Sequence, residues 1–206
     1  MKKVLIACEF SGMVRDEFIK LGFDAYSCDL LDTEIPGPHY KCDVREILND
    51  DWDLIIAFPP CQYLCVSGMH WTKRGLRDPK LTESALQLVI DILNAPCNHI
   101  AVENPVGIIS TRIRKPDQMI QPYQFYENAS KKTCLWLKNL PKLIPTKMFP
   151  PKIINGKSIW GNQTKSGQNK LGPSVNRAKE RSRTYPKIAE QMALQWHKYI
   201  NNPYTL

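Results

Sequence analysis

In Pro59-Pro60-Cys61-Gln62 a cysteine directly follows two prolines. The prolines fix the backbone, so the next side chain is presented rigidly. A cysteine thiolate is a strong nucleophile and adds to electron-poor carbon. Most cysteines are instead buried and inert. Cys8, Cys28, Cys42 and Cys97 fit that description, since each lies within or beside an apolar run; Cys65 and Cys134 fit either. A second candidate is Glu103, in Glu103-Asn104-Pro105. A carboxylic acid at a strand end can hydrogen-bond or protonate a ring nitrogen while a thiolate attacks the ring. Taken alone, it reads as an ordinary surface acid.

A third cluster opens the chain. The apolar run Lys3–Cys8 leads into Glu9-Phe10-Ser11-Gly12, and helical spacing begins at Met13 with Val14, Phe18, Ile19 and Leu21, stopping at Gly22. A buried strand, a small-residue turn and a helix start make a corner for an anion or a nucleoside. The turn has one glycine and lacks the G-x-G-x-x-G pattern, which disfavours a dinucleotide. Asp29 ends the next strand-like run, Asp24–Cys28, where a carboxylate can hold both ribose hydroxyls. Its ordinary alternative is a turn cap.

The elements that must position these residues alternate. After the first strand and helix come a short strand, a loop at Gly37-Pro38, Asp43 before a short helical stretch from Val44 to Leu48, and a buried strand from Asp53 to Phe58. Residues 81–94 read as an amphipathic helix with Leu81, Leu86, Val89, Ile90 and Leu93 inward. A strand over 99–103 is broken by Pro105, and a last helix begins near Pro186 with Ile188, Ala189, Met192, Ala193 and Trp196 on one face. This is the pattern of an α/β fold with a mostly parallel sheet flanked by helices. In such sheets ligands bind beyond the carboxyl ends of the strands, where Ser11-Gly12, Asp29, Cys61 and Glu103 all fall.

The 206 residues suit one domain with a small appendage, and no apolar run spans a bilayer. The basic, apolar start is interrupted by Glu9 and has no small-residue cleavage site, so the cytoplasm is the expected location. Seven cysteines without a secretion signal indicate free thiols. The C-x3-C spacing of Cys61 and Cys65 lacks a second pair, so no metal site is expected. The net charge of +8 is concentrated: Pro141–Arg183 holds ten Lys or Arg and one acid, Glu180. Such a stretch attracts a polyanion, and its Phe149 and Trp160 suit nucleic acid, although charge runs are often solvated loops.

Together, Phe10-Ser11-Gly12, Pro59-Pro60-Cys61-Gln62 and Glu103-Asn104-Pro105, in that order, resemble the cytosine-5 DNA methyltransferases, in particular the short members found in bacteriophage genomes. Lys131–Leu137 and Arg181–Ala193 extend the resemblance over most of the chain. It implies a Rossmann-like class I methyltransferase that uses S-adenosylmethionine, flips its target base from double-stranded DNA, and acts as a monomer in the host cytoplasm. Cys61 would add to C6 of cytosine, Glu103 would act at N3, and C5 would take the methyl group. Phe10, Ser11, Gly12, Asp29, Asp43 and Pro59 fall at cofactor-pocket positions; Gln62, Asn104, Lys131 and Thr133 would face the substrate. The implied organisation is a catalytic core over 1–140, a small loop-rich basic recognition segment over 141–180, and a C-terminal helix over 181–206 that packs back on the core.

The chain departs from the family in three places. Val14 and Arg15 replace further glycines, Pro105 replaces a valine, and Lys131 and Thr133 replace paired arginines. Competing readings are an amino-methyltransferase, opposed by Phe58 before the prolines and Cys61 after them; a degenerate, non-catalytic nucleic-acid-binding protein; and an RNA cytosine methyltransferase.

Overall fold

The computed structural model describes residues 1–172, 174 and 176–202. Pro173, Val175 and the last four residues of the expected C-terminal segment lie outside the described residues. The chain runs β1 (Lys3–Ala7), α1 (Met13–Lys20), β2 (Asp24–Asp29), β3 (His39–Lys41), a 3₁₀ turn (Val44–Glu46), β4 (Leu54–Ala57), α2 (Cys61–Leu64), α3 (Val66–Lys73), α4 (Pro79–Leu93) and β5 (His99–Pro105). It continues with α5 (Ile109–Arg112), β6 (Gln118–Ile120), a second 3₁₀ turn (Pro122–Phe125), β7 (Thr133–Lys138), β8 (Lys152–Ile154), β9 (Lys157–Ile159), α6 (Arg177–Ser182) and α7 (Pro186–Asn201).

Seven strands form one sheet in the order β3-β2-β1-β4-β5-β7-β6. The pairs from β3 through β5 are parallel, and β7 runs antiparallel to both its neighbours. This is the Rossmann-like, mostly parallel sheet expected from the sequence. The order in which strands are added reverses between the parallel strands β1 and β4, and in such sheets ligands bind at the carboxyl ends beside that switch point. Alternate residues of each strand face opposite layers. Leu5, Ile55, Ile100 and Trp136 pack under Leu86, Val89 and Ile92 of α4. Val4, Ile6, Leu54 and Leu135 pack under Val14 and Phe18 of α1 and Ile188, Met192 and Trp196 of α7. Among the described residues no helix is long and apolar enough to cross a membrane.

Several local expectations are corrected. Ile19 and Leu81 lie 40% and 43% exposed, because each sits on the flank of its apolar stripe rather than at its centre. β1 ends at Ala7, since Cys8 turns to φ 56°. β4 is one residue shorter at each end than the apolar run, and the helical stretch after Asp43 is a single 3₁₀ turn ending at Glu46. β5 runs through Pro105, where it pairs with Thr133 of β7. The basic segment is not all loop: it contains the β8–β9 hairpin and α6.

Candidate active site

The backbone turn after β1 is shaped by an acid. Glu9 is buried, and its Oε1 accepts from the Ser11 hydroxyl and, at 2.9 Å, from the Met13 N–H at the start of α1. The carboxylate thereby takes the donors that an anionic ligand would use at a helix N-terminus. Its Oε2 is buried without a partner among the described residues. Burial raises the Glu9 carboxyl above its usual range, opposed by the Ser11 hydroxyl. Gly12 caps α1 at φ 77°, a left-handed conformation, and a Cβ there would meet Arg15 Nη2 at 2.6 Å. Phe10 is buried beside it, with Lys179 Nζ 5.0 Å above its ring.

The two carboxylates expected to face a nucleoside lie on the neighbouring strand ends. Asp29 Oδ1 accepts from Leu31 N–H at 2.9 Å, so the turn-cap alternative holds for that oxygen. Asp43 caps the 3₁₀ turn and grips Arg45 with both oxygens, at 3.0 and 2.8 Å. Both acids act on the Cys8 thiol between them, which burial and then Asp29 and Asp43 raise to about 12. Glu9, Phe10, Ser11, Gly12, Asp29 and Asp43 thus line one corner. Its donors are already used by a buried carboxylate, and one oxygen of that carboxylate is unsatisfied. Such a donor set suits a cationic nucleoside better than a diphosphate.

The second cluster lies at the carboxyl ends of β4 and β5. β4 carries the chain to Pro59 and Pro60, and Pro60 is the N-cap of α2, which Cys61 opens. Asn104 Nδ2 donates to Pro59 O at 2.8 Å, so β5 fixes the height of the proline turn. Asn104 Oδ1 is buried and has no partner among the described residues. β7 returns antiparallel, which brings Thr133 opposite Pro105 and Lys131 beside Glu103. Burial raises the Glu103 carboxyl, opposed by the Lys131 charge and a Thr133 hydrogen bond. Lys131 Nζ also donates to Arg181 O at 3.1 Å. Gln62 is exposed at the rim, its carbonyl held by Arg77.

Cys61 is half-buried and Cys65 buried. Their thiols act on one another. The Cys65 sulfur accepts from Gly68 N–H at 3.3 Å and lies 3.2 Å from the Ser67 hydroxyl. The Cys61 thiol, Ser67 and the Gly68 N–H hold Cys65 well below the ordinary thiol range, whereas Cys65 and burial push Cys61 up. Lys131 opposes that rise and Glu103 adds to it. All twelve residues singled out in the sequence sit at one edge of the sheet, in these two groups. Glu9 and Cys65 were not given roles there. The acid interrupting an apolar run was the available signal for Glu9; for Cys65 it was the C-x3-C spacing with Cys61, which was weighed only as half of a metal site.

The raised Glu103 carboxyl has a consequence for stability. A carboxyl raised by folding binds more protons in the native state, so its contribution falls as pH rises from about 4.3 through the folded value. Glu103→Gln removes that loss. Thermal melts are expected to show the variant more stable than wild type at pH 8, with the two converging near pH 4. A constant gap across that range would refute the assignment.

No family model matches the chain, and no curated protein is similar to it in sequence. Among solved structures it is similar to one described provisionally as a DNA modification methyltransferase encoded within a prophage of E. coli, at 15% identity and a TM-score of 0.49. That similarity covers 75% of this chain and 54% of the other, so the chain spans about half its neighbour's length.

Proposed function

We propose that the protein methylates carbon 5 of cytosine in double-stranded DNA, with Cys61 as nucleophile and S-adenosylmethionine as methyl donor. The observation that carries this is the electrostatic cluster at the ends of β4 and β5. There a half-buried thiol stands in the field of the Glu103 carboxyl, which burial raises above its usual range, and of Lys131.

Cytosine C5 is a weak nucleophile while the ring is intact. A thiolate at Cys61 would form a bond to C6, pushing ring electrons toward C5 and N3. Glu103, protonated, would deliver its proton or a hydrogen bond to N3 and so take up the negative charge. Lys131 would compensate the Glu103 carboxylate left behind. When bound, the donor supplies an electrophilic methyl on sulfur, which C5 takes with its electron pair. Loss of the C5 proton to solvent would then re-form the C5–C6 double bond and expel the Cys61 thiolate, and the N3 proton would return to Glu103. The target base must leave the duplex stack to reach this edge of the sheet. Asn104 and the two prolines hold the Cys61 backbone at a fixed height on the sheet edge.

The test is to incubate the protein with methyl-labelled donor and separate DNA and RNA pools, then identify the labelled base. Label on C5 of cytosine in DNA is expected. Label on an exocyclic nitrogen, or in RNA alone, refutes the proposal. The corner assignment is tested in the same system by calorimetry without nucleic acid. Asp29→Ala is expected to weaken donor binding by about 1.5–3 kcal/mol, the cost of a hydrogen bond to a charged group; an unchanged affinity would move the ribose elsewhere.

A further inference from the structure

The β8–β9 hairpin is a short ribbon that stands out from the core on a rigid mount. Its strands pair Lys152 with Ile159, Ile153 with Ser158 and Ile154 with Lys157. Asn155 and Gly156 make the two-residue turn at φ 50° and 73°, the left-handed pair that a type I′ hairpin needs. Partners across the ribbon share a face. On one face Ile159 is buried and Ile154 half-buried. On the other, Ile153 is 67% exposed beside an exposed Ser158, with Asn155 exposed at the tip.

A two-stranded hairpin is marginal by itself. Here Trp160, next after β9, stacks on Tyr123 at 4.3 Å and 12°, and its Nε1 donates to Phe149 O at 3.3 Å. Asn162 then bonds Ser130 in both directions, at 2.9 Å each. Ser130 immediately precedes Lys131, so the ribbon is fixed relative to the second cluster of the site. No acidic residue occurs from Pro141 through Lys179.

Resting on the reading of the chain as a DNA-acting enzyme, we infer that this ribbon enters the major groove of the duplex and reads base edges with Ile153, Asn155 and Ser158. The major groove admits a two-stranded ribbon. An asparagine amide can pair with the N6 and N7 edge of adenine, a serine hydroxyl with several edges, and an isoleucine with the thymine methyl. The exposed Lys152 and Lys157 lie on the other face, beside Ile159 and Ile154, and their long side chains reach around the ribbon to the flanking phosphates, which position it without selecting sequence.

The experiment selects binders from a pool of random-sequence duplexes, using the full chain without methyl donor. Wild type is expected to enrich a short motif containing an A·T pair. Asn155→Asp keeps a turn that accepts Asp-Gly but exchanges a donor amide for an acceptor, so it is expected to shift that position from adenine toward cytosine. Discrimination there should change by about tenfold or more. Lys152→Ala with Lys157→Ala is expected to weaken all duplexes alike and to flatten the salt dependence by about one per lysine. A wild type that enriches no motif, an Asn155→Asp variant that enriches the wild-type motif, or binding confined to RNA would overturn the inference. Methyl transfer is not read in this experiment. A chain that selects a motif yet transfers no methyl would keep the ribbon and lose the proposed reaction; a chain that methylates without selecting would do the reverse.

Discussion

Cys61→Ser is expected to lower methyl transfer by several orders of magnitude while leaving donor binding and the thermal melt unchanged, because loss of a covalent nucleophile removes a step that no other group replaces. The decisive measurement uses duplex DNA carrying 5-fluorocytosine. Fluorine at C5 cannot leave as the proton does, so the C6–sulfur bond persists and the protein runs as a DNA adduct on a denaturing gel. Wild type should be trapped and Cys61→Ser should not. The Cys61–Cys65 pair sharpens the test. The Gly68 N–H and the Ser67 hydroxyl favour negative charge on Cys65 over Cys61. Cys65 is nevertheless buried, and Cys61 is the more open of the two. Cys65 is therefore placed to take the Cys61 proton as attack begins. Cys65→Ser should still be trapped, but more slowly at neutral pH and faster as pH rises, since solvent must then take the proton. If the adduct peptide carries the base on Cys65, the two roles are exchanged. If Cys61→Ser keeps full activity, covalent catalysis at this residue is wrong.

The reason so much of this edge was legible is that its residues end strands whose apolar runs are unbroken. Val4–Ala7, Leu54–Ala57 and Ile100–Val102 are buried on both faces, and the chain has nowhere to put a polar residue until each strand stops. The polar residues that follow are thereby aligned along one edge. The C-terminal helix was legible for a similar reason: Ile188, Ala189, Met192, Ala193 and Trp196 all lie in the centre of its stripe and all are buried. What was not legible depended on partners distant in sequence. β7 is flanked by β5 and β6, so the return of Lys131 and Thr133 to Glu103 is a property of sheet order rather than of their own segment. α3 carries an exposed Val66 and an exposed Trp71, so no apolar period marks it. The β8–β9 hairpin did carry a local signal, Asn155-Gly156, which the surrounding lysines and prolines obscured.

Arg15 was read from the sequence as an intrusion, standing where a related chain would have glycine, and that departure favoured a degenerate protein. The structure assigns it a different part. Arg15 is fully buried beneath the first turn. Its Nε donates to Asp16 at 2.8 Å, its Nη1 to Ser27 at 3.1 Å and Thr33 at 3.3 Å, and its Nη2 to Ile35 O at 2.9 Å and Pro36 O at 3.4 Å. One side chain therefore ties α1 to β2 and to the loop over residues 33–38. That loop lies against the corner, since Glu34 N–H donates to Phe10 O at 2.8 Å and the Glu34 carboxylate holds Arg183 at 2.9 and 2.8 Å. Removing one member of such a buried network leaves Asp16 without its partner and several carbonyls unmet, at a cost of about 3–5 kcal/mol. For a chain of this size that corresponds to a fall in melting temperature of roughly 6–20 °C. Arg15→Gly restores the glycine of the related pattern, yet it is expected to be as destabilising as Arg15→Ala. Arg15→Lys should recover only part of the loss, because a single ammonium cannot span acceptors on three segments. At temperatures where Arg15→Ala remains folded, donor binding should still weaken, since the loop beside Phe10 has lost its anchor. An unchanged melt in Arg15→Gly would show that the buried guanidinium is dispensable, and the degenerate reading would regain its footing.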